Sequence, residues 1–196
     1  MKDNAGFGIH ADRRGMTLVE LMIALLVFGI VMSVVFGFMV GSRDSYEETR
    51  GRARYQQGIR AAFSLLTTEV RSAGCDPTQA GFERVAAAAA TQLRCQSDLN
   101  ADGDATDTAP DESVTYTFNA GTGELSRDNG TGPIVILREL ENCTFTYYDG
   151  DGAVLGLLPL GATDRARVRE VEIDINGVAA EGDTVRYATR IAMRNG

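Results

Sequence analysis

The chain has 196 residues, 44% of them hydrophobic, and a formal net charge of -8, which leaves room for one ordinary domain beside an anchor. So acidic a body lacks the basic footprint that nucleic-acid phosphates demand. His10 is the only histidine, so nucleophile and base pairs built on histidine are excluded from the rest of the chain. No phosphate-binding glycine loop occurs, and the paired carboxylates lie mainly in one loop. The chain reads as non-enzymatic.

The first element is apolar. From Leu21 to Ser42 there is no charge in 22 residues, and a helix of that length spans about 33 Å, enough to cross a bilayer core of ~30 Å. The run is too long for a signal-peptide core and continues into helix-compatible sequence, so it predicts an anchor that stays. Arg13 and Arg14 just before it place the N-terminus in the cytoplasm and the rest outside. Glu20, one turn into the helix, costs about 2.5 to 3.5 kcal/mol in lipid unless a partner compensates it. Gly29, Ser33, Gly37 and Gly41 recur every four residues. Such a ridge lets helices approach closely, but glycine is also commonplace in membrane helices, and both readings stand.

The helical pattern turns polar from Arg43 to Arg60. Ile59, Phe63, Leu66 and Val70 then form one apolar stripe at helical spacing, broadened by Ala62, Leu65 and Ala73. Gly74 ends the helix and Pro77 prevents its resumption. One helix from about Thr17 to Ala73 would be roughly 85 Å long. The alanine-rich stretch from Glu83 to Thr91 fits a short helix or a loop. Strands are expected at 113–118, 124–127, 134–137, 143–148, 153–158, 168–175 and 184–193, with turns at Gly121-Thr122-Gly123 and Asp149-Gly150-Asp151-Gly152. In the last two strands apolar and polar residues alternate, as in half-buried antiparallel strands. Their apolar face needs a cover, which the helix stripe supplies. The fold class is therefore α+β: an antiparallel sheet packed on the second half of a long helix.

Cys75, Cys95 and Cys143 all fall in the exported part, where disulfides persist. Three pairings are possible; Cys75 with Cys95 is preferred, because it would tie the helix end to the following strand. The metal-ligand reading of these cysteines is poor, since there is no CxxC. Between them and the strands lies an acidic loop, 98–112, with six acids and no base. Asp98, Asn100, Asp102 and Asp104 occupy positions 1, 3, 5 and 7 of an EF-hand-type calcium loop, with Gly103 at position 6. Position 12 is Ala109, so Asp107, Asp111 or Glu112 would have to replace the missing bidentate glutamate. Calcium is the favoured ligand and Glu112 joins the expected set. A solvated acidic loop is the alternative.

Gly15-Met16-Thr17-Leu18-Val19-Glu20 resembles the type III signal of type IV prepilins. The resemblance implies cleavage by prepilin peptidase between Gly15 and Met16, methylation of the new N-terminus, and pairing of Glu20 with the terminal amine of a neighbouring subunit during assembly. An ordinary signal anchor with a stray glutamate is the competing reading. Met16 stands where phenylalanine is usual. Leu65 to Gly74, Glu141 to Gly152 and Ile191 to Asn195 further resemble the helix end, a later strand and turn, and the final strand of PilW-type minor pilins. Together the similar segments cover roughly half the chain. They imply a type IV pilin-like fold divided into a leader (1–15), an assembly half (16–42) and an extracytoplasmic half (43–74) of the helix, and a β-rich region (75–196). The implied partners are other pilins and minor pilins, prepilin peptidase, an inner-membrane assembly platform and membrane lipid. The implied location is the inner membrane, then a surface pilus. A J-type pseudopilin of type II secretion shares these features, and a membrane-tethered, calcium-dependent adhesin is the reading from a different class.

Overall fold

The computed structural model describes residues 15–178 and 184–194. The leader residues Lys2, His10, Arg13 and Arg14 lie outside the described residues. The fold is α+β, as expected, and the chain divides into two compact units, residues 1–47 and 48–196. Helix α1 covers Leu18–Ser72 and contributes to both. In the first unit its residues 18–43 are all exposed, and they are apolar and long enough to cross a membrane.

In the second unit the end of α1 meets two antiparallel sheets. Strands β1 (Val85–Ala88), β2 (Gln92–Gln96), β3 (Ser113–Asn119), β4 (Glu124–Asp128) and β5 (Ile134–Leu137) form a five-stranded sheet in chain order. Strands β6 (Leu140–Tyr148), β7 (Glu170–Val178) and β8 (Thr184–Ala192) form a second sheet of three, with the short helix α2 (Ala162–Arg167) between β6 and β7. The expectation of one sheet is thus corrected to two.

The helical stripe behaves as its spacing dictates. Ile59, Leu66, Val70 and Ala73 are fully buried, Ala62 nearly so, and Phe63 is half-buried against the core. They share one core with Leu93, Tyr116 and Leu125 of the first sheet and with Phe145, Tyr147, Ile173, Ile175 and Ile191 of the second. Leu65 is the exception: it is exposed, because it lies one position before Leu66, about 100° around the helix. Main-chain bonds peg the helix end to the sheets. The Gly74 N–H donates to the Gln96 carbonyl at 2.8 Å, and the Arg194 N–H to the Arg71 carbonyl at 3.1 Å.

A polar cluster joins α1 to the five-stranded sheet on the same side. The Arg127 guanidinium donates from Nη2 to Glu69 Oε1 and to Asp111 Oδ2, each at 2.6 Å, and from Nε to Glu69 Oε1 at 3.0 Å. The Tyr116 hydroxyl also donates to Glu69, while Asn129 Nδ2 holds the other Asp111 oxygen at 2.7 Å. Burial and the Glu69 carboxylate push the Tyr116 hydroxyl well above its ordinary pKa.

Two expectations on secondary structure are corrected and a third holds. The alanine-rich stretch is neither helix nor loop; it forms β1 and its turn into β2. The turn carbonyls of Ala89 and Ala90 accept the Tyr147 hydroxyl and the Phe145 N–H at 2.9 and 2.8 Å, and small side chains permit that approach. Residues 153–158 form no strand, only an isolated bridge from Val154 to Tyr148; Gly156 interrupts the segment and Pro159 follows it directly. Gly121-Thr122-Gly123 does turn β3 into β4. Gly123 has φ of +65°, and a Cβ there would lie 2.8 Å from the Leu140 carbonyl oxygen.

The face assignment predicts that Leu66→Ala costs about 2 to 5 kcal/mol, whereas Leu65→Ala stays within about 0.5 kcal/mol, as read from urea denaturation of the two variants. Three aspartates set the acid limit. Asp111 is lowered below the usual carboxylate range by hydrogen bonds from Asn129 and then Arg127, Asp76 by the Gly81 N–H, and Asp149 by the Ala153 N–H. A folded pKa below the unfolded value, about 3.9, contributes stability that is present above that pH and lost as pH falls through the folded pKa. The urea midpoint should therefore drop below about pH 4, less steeply in Asp111→Asn.

Candidate functional site

Two sites are described separately, one in each unit. At the start of α1, Thr17 and Glu20 form a reciprocal capping box. Glu20 N–H donates to Thr17 Oγ1 at 3.2 Å, and the Thr17 N–H and hydroxyl both donate to Glu20 Oε2 at 3.0 Å. The box satisfies otherwise orphaned N–H groups at the helix end. Among the described residues Glu20 Oε1 takes no hydrogen bond. This local role was missed at sequence level, although threonine followed three residues later by glutamate before an apolar run is its signature. Gly15 and Met16 precede the helix and are exposed. Farther along, a Cβ built on Gly29, Gly37 or Gly41 would meet nothing within 4 Å, so no described contact within the chain requires glycine there.

The second site is the 98–112 loop, which runs from the end of β2 to the start of β3. Its base is tied to the helix terminus and to its own far end: the Asp98 N–H donates to the Cys75 carbonyl at 2.7 Å, and the Ser97 N–H to the Glu112 carbonyl at 2.9 Å. The buried Asp98 carboxylate shapes the loop from inside. Its Oδ1 accepts the Ala101 N–H at 2.5 Å, and its Oδ2 the Gly103 N–H at 3.1 Å and the Thr78 hydroxyl at 3.3 Å. Gly103, at φ of +94°, makes the sharp bend that the motif assigns to it. Asn100 Nδ2 donates to Asp102 and Asp107 at 3.0 and 2.8 Å.

Of the five residues expected to bind calcium, Asp102, Asp104 and Glu112 come together, each with a carboxylate oxygen within 4.8 Å of the others. Asp102 and Asp104 are exposed, but Glu112 is 1% exposed. Glu112 Oε1 accepts the Leu99 and Asn100 N–H groups at 2.8 and 3.2 Å, while its buried Oε2 has no hydrogen-bond partner. Asp111, an alternative replacement for the missing glutamate, is occupied by Arg127 and Asn129. Asp107 is held above the usual carboxylate range by desolvation and by its neighbours Asp102 and Asp104.

The expected Cys75–Cys95 disulfide is not formed; all three cysteines are free thiols. Cys95 is buried in the core, and burial pushes its thiol up to about 12. Cys143 is also buried and is pushed up to about 12 in the same way. The tie foreseen between helix end and strand nevertheless exists, made by the main-chain bonds of Gly74 to Gln96 and of Asp98 to Cys75.

No curated protein matches the chain. Residues 10–36 match the family model described as the prokaryotic N-terminal methylation motif, which is a type IV prepilin-like signal.

Proposed function

We propose that this protein is a minor pilin, cleaved by prepilin peptidase after Gly15, methylated on Met16, and inserted by α1 into a type IV pilus or into the complex that starts its assembly. The observation that carries the reading is the methylation motif at residues 10–36, set at the head of a helix whose far end forms the core of an α+β domain. Before assembly the apolar segment anchors the chain in the inner membrane, with the domain on the periplasmic side. Its partners are the peptidase, the assembly platform and other pilins.

Glu20 supplies the assembly chemistry. Both capping bonds from Thr17 fall on Oε2, so the carboxylate can keep its helix cap and accept the terminal ammonium of a neighbouring subunit on Oε1. That pairing would offset the cost of the charge in lipid. The open surface at Gly29, Gly37 and Gly41 suits close helix approach between subunits.

Mass spectrometry of the membrane-extracted protein should find Met16 at the N-terminus with one added methyl group; an intact Met1 in cells with active peptidase refutes processing. Glu20→Ala should leave the circular dichroism of the purified chain unchanged and remove the protein from sheared pili. Normal incorporation of that variant would discard charge pairing. Deleting the gene should abolish surface pili and spare protein secretion, whereas the opposite pattern assigns the protein to a type II secretion pseudopilus.

A further inference from the structure

Among the described residues, Glu112 is the buried acid whose carboxylate the domain itself leaves incomplete. Its Oε1 is used by the Leu99 and Asn100 N–H groups, and its Oε2 is buried with no partner. A buried carboxylate oxygen ordinarily finds a donor or a cation. Among the described residues no donor reaches this one, yet Asp102 and Asp104 bring carboxylate oxygens within 4.8 Å of the Glu112 carboxylate and of each other. Three anions so close repel one another, and a divalent cation among them relieves that repulsion and gives the under-partnered Glu112 carboxylate a partner.

We propose that the 98–112 loop binds one calcium ion through the carboxylates of Asp102, Asp104 and Glu112, with loop carbonyls and water completing the shell. Glu112 takes the part of the bidentate glutamate of an EF-hand loop, but from three positions later in the chain. A turn closed by the Thr108–Asp111 bridge, with the Glu112 N–H donating to the Asp107 carbonyl at 3.0 Å, lies between the usual position and Glu112. The all-oxygen donor set selects a hard cation. An irregular loop with three carboxylates favours calcium over magnesium, which demands a near-ideal octahedron and keeps its waters. Asp98 and Asn100 shape the loop around the site.

The location gives the ion a structural consequence. Glu112 leads directly into β3, its carbonyl accepts the Ser97 N–H, and the Asp98 N–H is bonded to the Cys75 carbonyl just past α1. A bound cation therefore clamps the loop, the head of β3 and the end of the helix together. This inference does not depend on which assembly machine the protein serves.

The test uses the full chain in detergent, stripped of metal and titrated with calcium chloride by calorimetry, with thermal melts in calcium and in chelator. Saturable one-to-one binding and a raised Tm in calcium are expected. Glu112→Gln, which keeps the side-chain shape, and Asp104→Asn, a change at an exposed position, should each weaken binding at least tenfold. Asp151→Asn, in the other acidic turn, should bind as the parent does. The proposal is overturned if the folded parent shows no heat and no Tm shift at millimolar calcium, the result expected if water satisfies Glu112. It is equally overturned if Asp104→Asn and Glu112→Gln bind normally, or if magnesium raises Tm as much as calcium. Should Glu112→Gln fail to fold, Asp104→Asn alone carries the decision.

Discussion

The domain depends on one apolar stripe. Ile59, Leu66 and Val70 are removed from water entirely, and each such side chain stabilises the fold by about 1.5 to 3 kcal/mol relative to exposure. Their partners come from both sheets, so the helix shares one core with both. Tyr116, Leu93 and Leu125 complete the contact on one side, Phe145, Ile173 and Ile175 on the other. The helix that carries the apolar anchor residues is thus also the central element of the folded domain.

Beside the stripe lies the Glu69 and Arg127 pair, with side chains only 15% and 13% exposed. An ion pair in such a place adds little net stability, because desolvation cancels much of the attraction, but losing one partner strands a charge. Its geometry is the more informative part. A guanidinium fork shared between Glu69 and Asp111 accepts few arrangements, so it holds the helix face, β4 and the end of the acidic loop in one relation. Asp111 and Glu112, adjacent in sequence, divide the work: the first closes this cluster, the second faces the carboxylates of Asp102 and Asp104.

Much of the organisation was legible from residue order, and the misses have identifiable causes. The stripe and the end of α1 were readable because helical periodicity and Gly74 are local signals, and the alternation in β3, β7 and β8 was equally plain. The alanine run was not readable, since small residues have no periodic signature; its strand is made by pairing with β2, and Tyr147 and Phe145 bond the carbonyls of the turn that follows. Leu65 was expected to broaden the helical stripe, but its angular position puts it in solvent. The disulfide expected between Cys75 and Cys95 rested on the need for a tie, and main-chain hydrogen bonds meet that need instead.

At the head of α1 the sequence by itself determined the processing signal, the length of the apolar segment and the position of Glu20, because each is a matter of residue type and spacing along one chain. The loop shows the complement. Spacing identified Asp98 to Asp104 as an EF-hand-like half, but it left three acids competing for the final position. Only the tertiary structure distinguished their surroundings, engaging Asp111 with Arg127 and Asn129 and burying Glu112 with one oxygen unpartnered. The reason is physical: which carboxylate is free depends on which donors the rest of the fold brings to it, and those donors come from β4, the segment after it and the loop backbone.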